Sequence, residues 1–403
     1  MEAHATRASR GPGRSFFSVG GVAASALALG IASGCASAES TPGPAGGTYG
    51  DDSGGAAVGD DGGGQVGSGG WSTPDGGISV IDGSTGVTGS DASAGDAGTR
   101  DAGPPLSFDA GATIQCNPIV NGTSTLVVNG TTRQFEVQLP TDTSSGMALL
   151  FLWHGWNQQA GTFASQVVYD VPSGQWVPFD PNAFPMPLLI VAPDDTGLFV
   201  VGVAGNVGLD WDIEPKNPPV DFPFFEAMLQ CIQEQFALDT TRIYSFGFSA
   251  GAVFTDLLSA EYPHLFAATI SESGAWFNDP AEQQQVLVNN ALPFIKWDWP
   301  AFNPADKGNV LLSHGGPNDF ATIISLENAN QEALPFLNAN DRTVVECKHD
   351  FGHTLEPDLT QGMIYEYLWD HQLGGPPLAG LPADFPTEAN PVGETSCYFH
   401  PAP

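Results

Sequence analysis

Positive charge is what this chain has least of. Only 11 Lys and Arg stand against 45 Asp and Glu in 403 residues, a formal net charge of −34. Nucleic-acid binding needs a basic face, so that class of partner is excluded. The acidic residues are scattered, which reads as a soluble acidic surface. Cysteine is also scarce, with five residues in all. None lies in a C-x-x-C pair, which argues against zinc-ribbon or dithiol redox chemistry. No metal and no cofactor is expected. The apolar run Phe16–Ile31 is short and broken by glycine, unlike a membrane-spanning helix. No Arg-Arg pair exists, so twin-arginine export is not expected either.

Large apolar residues are almost missing from 36–112, which is built of Gly, Asp, Ser, Ala and Thr. Burial there cannot offset the entropy of ordering, so the segment reads as a disordered linker. Before it, Arg7, Arg10 and Arg14 precede the apolar run, and "ASGC" closes it at Cys35. Residues 1–35 therefore read as an export signal. "ASGC" resembles a bacterial lipobox, which would make Cys35 a lipidation site and the only link to a membrane. The expected location is secreted or extracytoplasmic. Cys116, Cys231, Cys347 and Cys397 remain as disulfide candidates, with three pairings open.

Residues 113–403 have the length of one large α/β domain. Asn129-Gly130 between two alternating runs predicts a hairpin. "MALLFLW" (147–153) and "PLLIVAP" (187–193) are continuous apolar runs, as strands buried on both faces should be. Further strands are expected at 242–247, 266–273, 309–315 and 342–347. Helical spacing marks 222–236, 250–260 and 359–373. The alternation predicts a mostly parallel central sheet with helices on both faces.

One stretch carries a chemical signal. "SFGFSAGAVF" places Ser249 between Gly247 and Gly251, after a strand and before a helix. G-x-S-x-G in that context is the turn that lifts a nucleophilic serine above an α/β sheet. With "LFLWHGW", "LDTTRIYSFGFSAGAVFTDLLSAEYPHLFAATISESG", "LLSHGGPND" and "FGHT", the chain resembles the α/β-hydrolases over about 120–372. More narrowly, it resembles secreted polyhydroxybutyrate depolymerases and feruloyl or acetylxylan esterases (carbohydrate esterase family one). That resemblance implies a serine esterase with the chain order Ser, acid, His. Ser249 would be the nucleophile and Asp319 the acid, five residues after His314 where many members have it four after. His353 is expected as base, with His349 the alternative. The oxyanion donors would be the N–H groups of Ala250 and Trp156. His154 lies before the acid and reads as structural.

Trp211 and Trp276, near these motifs, are expected to contact substrate, and "WDWPAFNPADK" (297–307) reads either as a lid or polymer-contacting loop or as an ordinary surface excursion. The expected partner is an ester substrate, polymeric in the depolymerase case. Three rival readings carry different signatures. A zincin site at His314, Asp319, His349 and His353 lacks the Glu after the first His, and Gly352 interrupts the helix it needs. A serine peptidase of the prolyl-oligopeptidase type would need a propeller-sized domain. A non-catalytic surface lipoprotein would not need the full set of candidate residues.

Overall fold

The structure is a computed structural model and describes residues 111–195, 211–213, 219–262, 264–276, 308–321 and 324–402. The expected export signal, Cys35, the linker up to residue 110 and the 297–307 loop lie outside these residues.

Alternating apolar residues build the first strands, β1 (Ile114–Cys116), β2 (Gly122–Val128) and β3 (Thr131–Gln138). The hairpin between β2 and β3 turns at Asn129 and Gly130, with φ of 50° and 78°. Both residues tolerate the left-handed region, which is why this dipeptide suits a tight hairpin. Then follow β4 (Met147–Trp153), the short helix α1 (Ala160–Ala164) and a hairpin of β5 (Val168–Asp170) with β6 (Gln175–Val177). β7 (Leu188–Pro193), helix α2 (Asp221–Gln235), β8 (Leu238–Phe248), helix α3 (Ala250–Glu261) and β9 (Ala268–Glu272) come next. The chain continues through β10 (Asn309–His314), a hairpin of β11 (Phe320–Ala321) with β12 (Ile324–Ser325), β13 (Thr343–Lys348) and β14 (Ser396–His400). Two further helices, Leu326–Ala339 and Gln361–Trp369, flank β13 in sequence.

Ten of these strands form one sheet in the order β1-β2-β3-β7-β4-β8-β9-β10-β13-β14. The six from β7 to β13 are mutually parallel, and the flanking strands are antiparallel. β4 shows why. Every residue in it is buried. Met147, Leu149, Phe151 and Trp153 pack with α2 and α3 on one face. Ala148, Leu150 and Leu152 pack with α1 and the helix Gln361–Trp369 on the other. A strand with apolar residues on both faces must sit mid-sheet between helical layers.

The expected mostly parallel sheet with helices on both faces is present. Not anticipated were β1, α1, the β5–β6 and β11–β12 hairpins, the helix Leu326–Ala339, the edge strand β14 and the early start of β8. Two disulfides staple the periphery. Cys116–Cys231 ties β1 to α2, and Cys347–Cys397 links the paired strands β13 and β14. Ala112 already packs against the core, just ahead of β1.

Candidate active site

The parallel strands all point one way, so the loops after β4, β8, β10 and β13 emerge along one edge of the sheet. Open α/β sheets bind their ligands outside these carboxyl ends. The candidate residues fall in those loops.

Ser249 stands between β8 and α3 at φ 55° and ψ −120°, a strained conformation for a non-glycine residue. Its neighbours show what the tight turn requires. A Cβ on Gly247 would come within 2.2 Å of Gly251 O, and one on Gly251 within 2.1 Å of Trp153 O. Only glycine fits either place. Ser249 is 8% exposed, and its N–H donates to Glu272 O at 2.9 Å, which ties the turn to β9.

His353 Nε2 lies 2.9 Å from Ser249 Oγ, and His353 Nδ1 lies 2.7 Å from Asp319 Oδ1. With the proton on Nδ1 donated to the carboxylate, the Nε2 lone pair faces the serine hydroxyl. Gly352, just before His353, takes φ 76°, and its N–H donates to Gly315 O at 3.1 Å. Phe248, the residue between Gly247 and Ser249, stacks on the imidazole with centroids 5.0 Å apart.

Asp319 is fully buried. Between His314 and Asp319 the chain makes the short turn Gly316–Asn318, in which Gly316 adopts φ 69°. Oδ2 of Asp319 accepts from the Ser273 hydroxyl at 2.7 Å and from Gly315 N–H at 2.8 Å. With the imidazole, three donors fix one carboxylate. Ser273, itself at φ 52°, and Gly315 were not anticipated from the sequence. The only sequence hint was their place at the ends of expected strands.

The alternative base, His349, is turned elsewhere. Its backbone N–H donates to His314 O, its Nδ1 accepts from Phe351 N–H at 3.3 Å, and its Nε2 faces Glu356 Oε2 at 3.7 Å. Burial holds its pKa down to about 4. The structure brings Ser249, His353 and Asp319 together and leaves His349 out of that chain of contacts.

Ala250 opens α3 directly after Ser249, where the helix presents its N-terminal amides. Gly155 lies beside the serine, since a Cβ there would meet Ser249 Cβ at 3.3 Å. The half-buried Trp156 is the next residue. His154 is fully buried, with Nδ1 2.9 Å from Gly155 O, and burial lowers its pKa. That fits a structural role in shaping the loop.

The two tryptophans expected at the substrate surface are corrected. Trp211 and Trp276 are both fully buried. Trp211 stacks on Phe254 with centroids 5.5 Å apart and donates its indole N–H to His154 O at 2.9 Å. It braces the loop after β4 from within the core. Trp276 packs in a cluster with Val310, Leu312 and Val344. Large aromatics offer the most area to bury, and here the core took them. Among the described residues the exposed aromatics are instead Phe320 and Phe351, at 42% and 43%, one next to Asp319 and the other two residues before His353.

No family model matches the sequence, and no curated protein sequence matches it. Solved structures do. Native sOPH is similar at a TM-score of 0.52 and 17% identity, covering 71% of this chain and 97% of that one. Native pOPH is similar at a TM-score of 0.52 and 18% identity, with the same coverage. A ferulic acid esterase is similar at a TM-score of 0.42 and 16% identity, covering 61% and 94%. With the sheet order described above, the chain has the α/β-hydrolase fold.

Proposed function

We propose that this chain is an exported serine carboxylic-ester hydrolase with Ser249 as nucleophile, His353 as base and Asp319 as acid. The observation that carries the reading is the continuous Ser249–His353–Asp319 chain, at 2.9 Å and 2.7 Å, on a turn that only glycines permit. His353 Nε2 takes the Ser249 proton as Oγ attacks the ester carbonyl. The N–H groups of Ala250 and Trp156 hold the oxyanion. Asp319 orients the imidazole and stabilises its charged form. The alcohol leaves with the proton from His353, and water then releases the acyl group by the same steps in reverse.

An apolar, extended ester suits the site. Phe320 and Phe351 expose aromatic faces in the acid and base loops, and the half-buried Trp156 follows Gly155 in the loop after β4. A polyester or a feruloylated or acetylated polysaccharide would use such faces. Among the solved structures, a serine-to-alanine variant of pOPH is described in complex with pNPB. Export is supported by the Arg-led apolar segment before Cys35 and by two disulfides, which persist in oxidising compartments. The expected linker, up to residue 110, would then be a spacer, with Cys35 as its lipid anchor. Among the described residues, no helix is long and apolar enough to cross a membrane.

The test is hydrolysis of polyhydroxybutyrate, feruloylated xylan, acetylxylan and short synthetic esters by the wild type and by Ser249→Ala. At least one ester should turn over, and Ser249→Ala should lose that turnover by about three orders of magnitude or more. No turnover of any ester would favour a binding role over catalysis.

A further inference from the structure

Two carboxyl groups outside the triad are buried directly behind it. Glu272 ends β9 and is 2% exposed, and Glu356 follows the His353 loop and is 3% exposed. Their contacts are unusual for buried acids, because they run between the two halves of the site. The main-chain carbonyl of Glu272 accepts the Ser249 N–H at 2.9 Å. Its side-chain Oε2 accepts the Glu356 N–H, also at 2.9 Å. One residue therefore holds the nucleophile by its backbone and the base loop by its side chain.

The base loop needs that hold. At its near end it is fixed by His349 N–H to His314 O and Gly352 N–H to Gly315 O. Past His353 the buried polar anchor is Glu356, with Asp358 Oδ2 accepting the Glu394 N–H and the Thr395 hydroxyl further on, each at 3.1 Å. Glu356 Oε1 accepts the Thr395 hydroxyl at 2.7 Å and the Asp358 N–H at 3.0 Å, and Glu356 Oε2 faces His349 Nε2 at 3.7 Å. We propose that Glu272 and Glu356 are positioning residues that lock the His353 loop to the nucleophile turn, setting the Ser249–His353 distance. Neither carboxyl is assigned a contact with substrate. Their burial is consistent with a fixed structural pair, since it pushes both acids above their ordinary pKa. A hydrogen-bond acceptor on side chain 272 is what the geometry needs, not a charge.

The proposal rests on the triad reading, and its test separates the two. Glu272→Leu keeps the volume and removes the acceptor, while Glu272→Gln keeps an acceptor. On one soluble ester, Glu272→Leu should lose roughly ten-fold or more in kcat with KM little changed, because small misplacements of a base are costly. Glu272→Gln should stay within about three-fold of wild type, since it restores the contact. If the leucine variant does not fold, Thr395→Val replaces it. That change removes the hydroxyl that Glu356 Oε1 and Asp358 Oδ2, both in the segment after His353, share at 2.7 and 3.1 Å, and kcat should fall several-fold, roughly, at constant KM. A folded Glu272→Leu with wild-type kcat overturns the proposal. So does a Gln variant as impaired as Leu, or, where Leu cannot fold, a Thr395→Val variant with wild-type kcat. If Ser249→Ala keeps the wild-type rate, the triad reading itself has failed.

Discussion

At the scale of single residues, the site is set by groups that tolerate no substitute. Gly251 is the sharpest case. Its missing Cβ would fall 2.1 Å from Trp153 O, and backbone cannot step aside. Gly251→Ala should therefore cost about 3 kcal/mol or more, the upper range for overpacking. Thermal unfolding should register this as a large drop in Tm or a loss of soluble protein. Gly161→Ala is the matched control, because its new Cβ would meet nothing closer than the Glu136 side chain at 3.5 Å. It lies in α1, where alanine is the better helix former, so Tm should hold or rise. Equal losses in both variants would mean the turn is not the constraint.

The sequence was most legible at this scale where chemistry restricts residue type. Ser249 stood out on its G-x-S-x-G turn, and Asp319 and His353 through the Ser, acid, His order that the resemblance implies, with only two histidines after the expected strand. Trp211 and Trp276 were given the wrong place, because a tryptophan near a motif suits a core as well as a pocket. Glu272 and Ser273 were hidden by their place in "ISESG", which reads as the end of a strand.

At the scale of elements, β4 and the β2–β3 hairpin were legible. A seven-residue apolar run is short for a helix and suits a strand buried on both faces, and an Asn-Gly turn suits a tight hairpin. The helix Leu326–Ala339 was not. It carries Pro335 and several asparagines, so propensity argues against it, and tertiary packing of Ala329, Ala333 and Leu337 decides it. β14 was masked by the Pro- and Gly-rich stretch before it, and only pairing with β13 makes it a strand.

The base loop should also leave a mark on stability. Burial is the main cause that raises the Glu356 pKa from 4.5 to about 7, and Asp358 adds to it. Glu272, His349 and Asp358 are the ionisable groups around it. A raised carboxyl pKa means the folded state resists ionisation. The contribution is therefore present below about pH 4.5 and is lost as pH rises to about 7. Glu356→Gln removes it and should gain on the wild type by up to about 3 kcal/mol across that window. His349 works the other way. Its pKa is depressed to about 4, so its contribution is lost as pH falls below 6.5. Asp319, His314, Asp350 and Asp358 surround that ring electrostatically, and Glu356 faces it. Urea unfolding of wild type and Glu356→Gln at several pH values gives the difference directly. A difference that does not change with pH contradicts the assigned burial.

At the scale of the whole molecule, the fold class was legible because strands and helices alternate, and the cystine pairing was not. Four cysteines allow three pairings, and sequence spacing does not rank them. In the structure Cys116–Cys231 spans 115 residues and joins β1 to α2. Cross-links over long loops restrict the unfolded chain most, so replacing both cysteines with serine should cost about 2–5 kcal/mol. Chemical denaturation should show it, with ester turnover unchanged at low temperature because the bridge is remote from Ser249. A loss of turnover in a folded double mutant would tie this edge of the sheet to catalysis.

The central claim is that Ser249 is a nucleophile activated by His353. Fluorophosphonate labelling followed by peptide mass spectrometry tests it without knowledge of the substrate. The account predicts one adduct, on Ser249, formed at a rate that His353→Ala lowers by roughly 10²–10⁴-fold, the usual contribution of a general base. An adduct on another residue, or His353→Ala protein labelled at the wild-type rate, would contradict it.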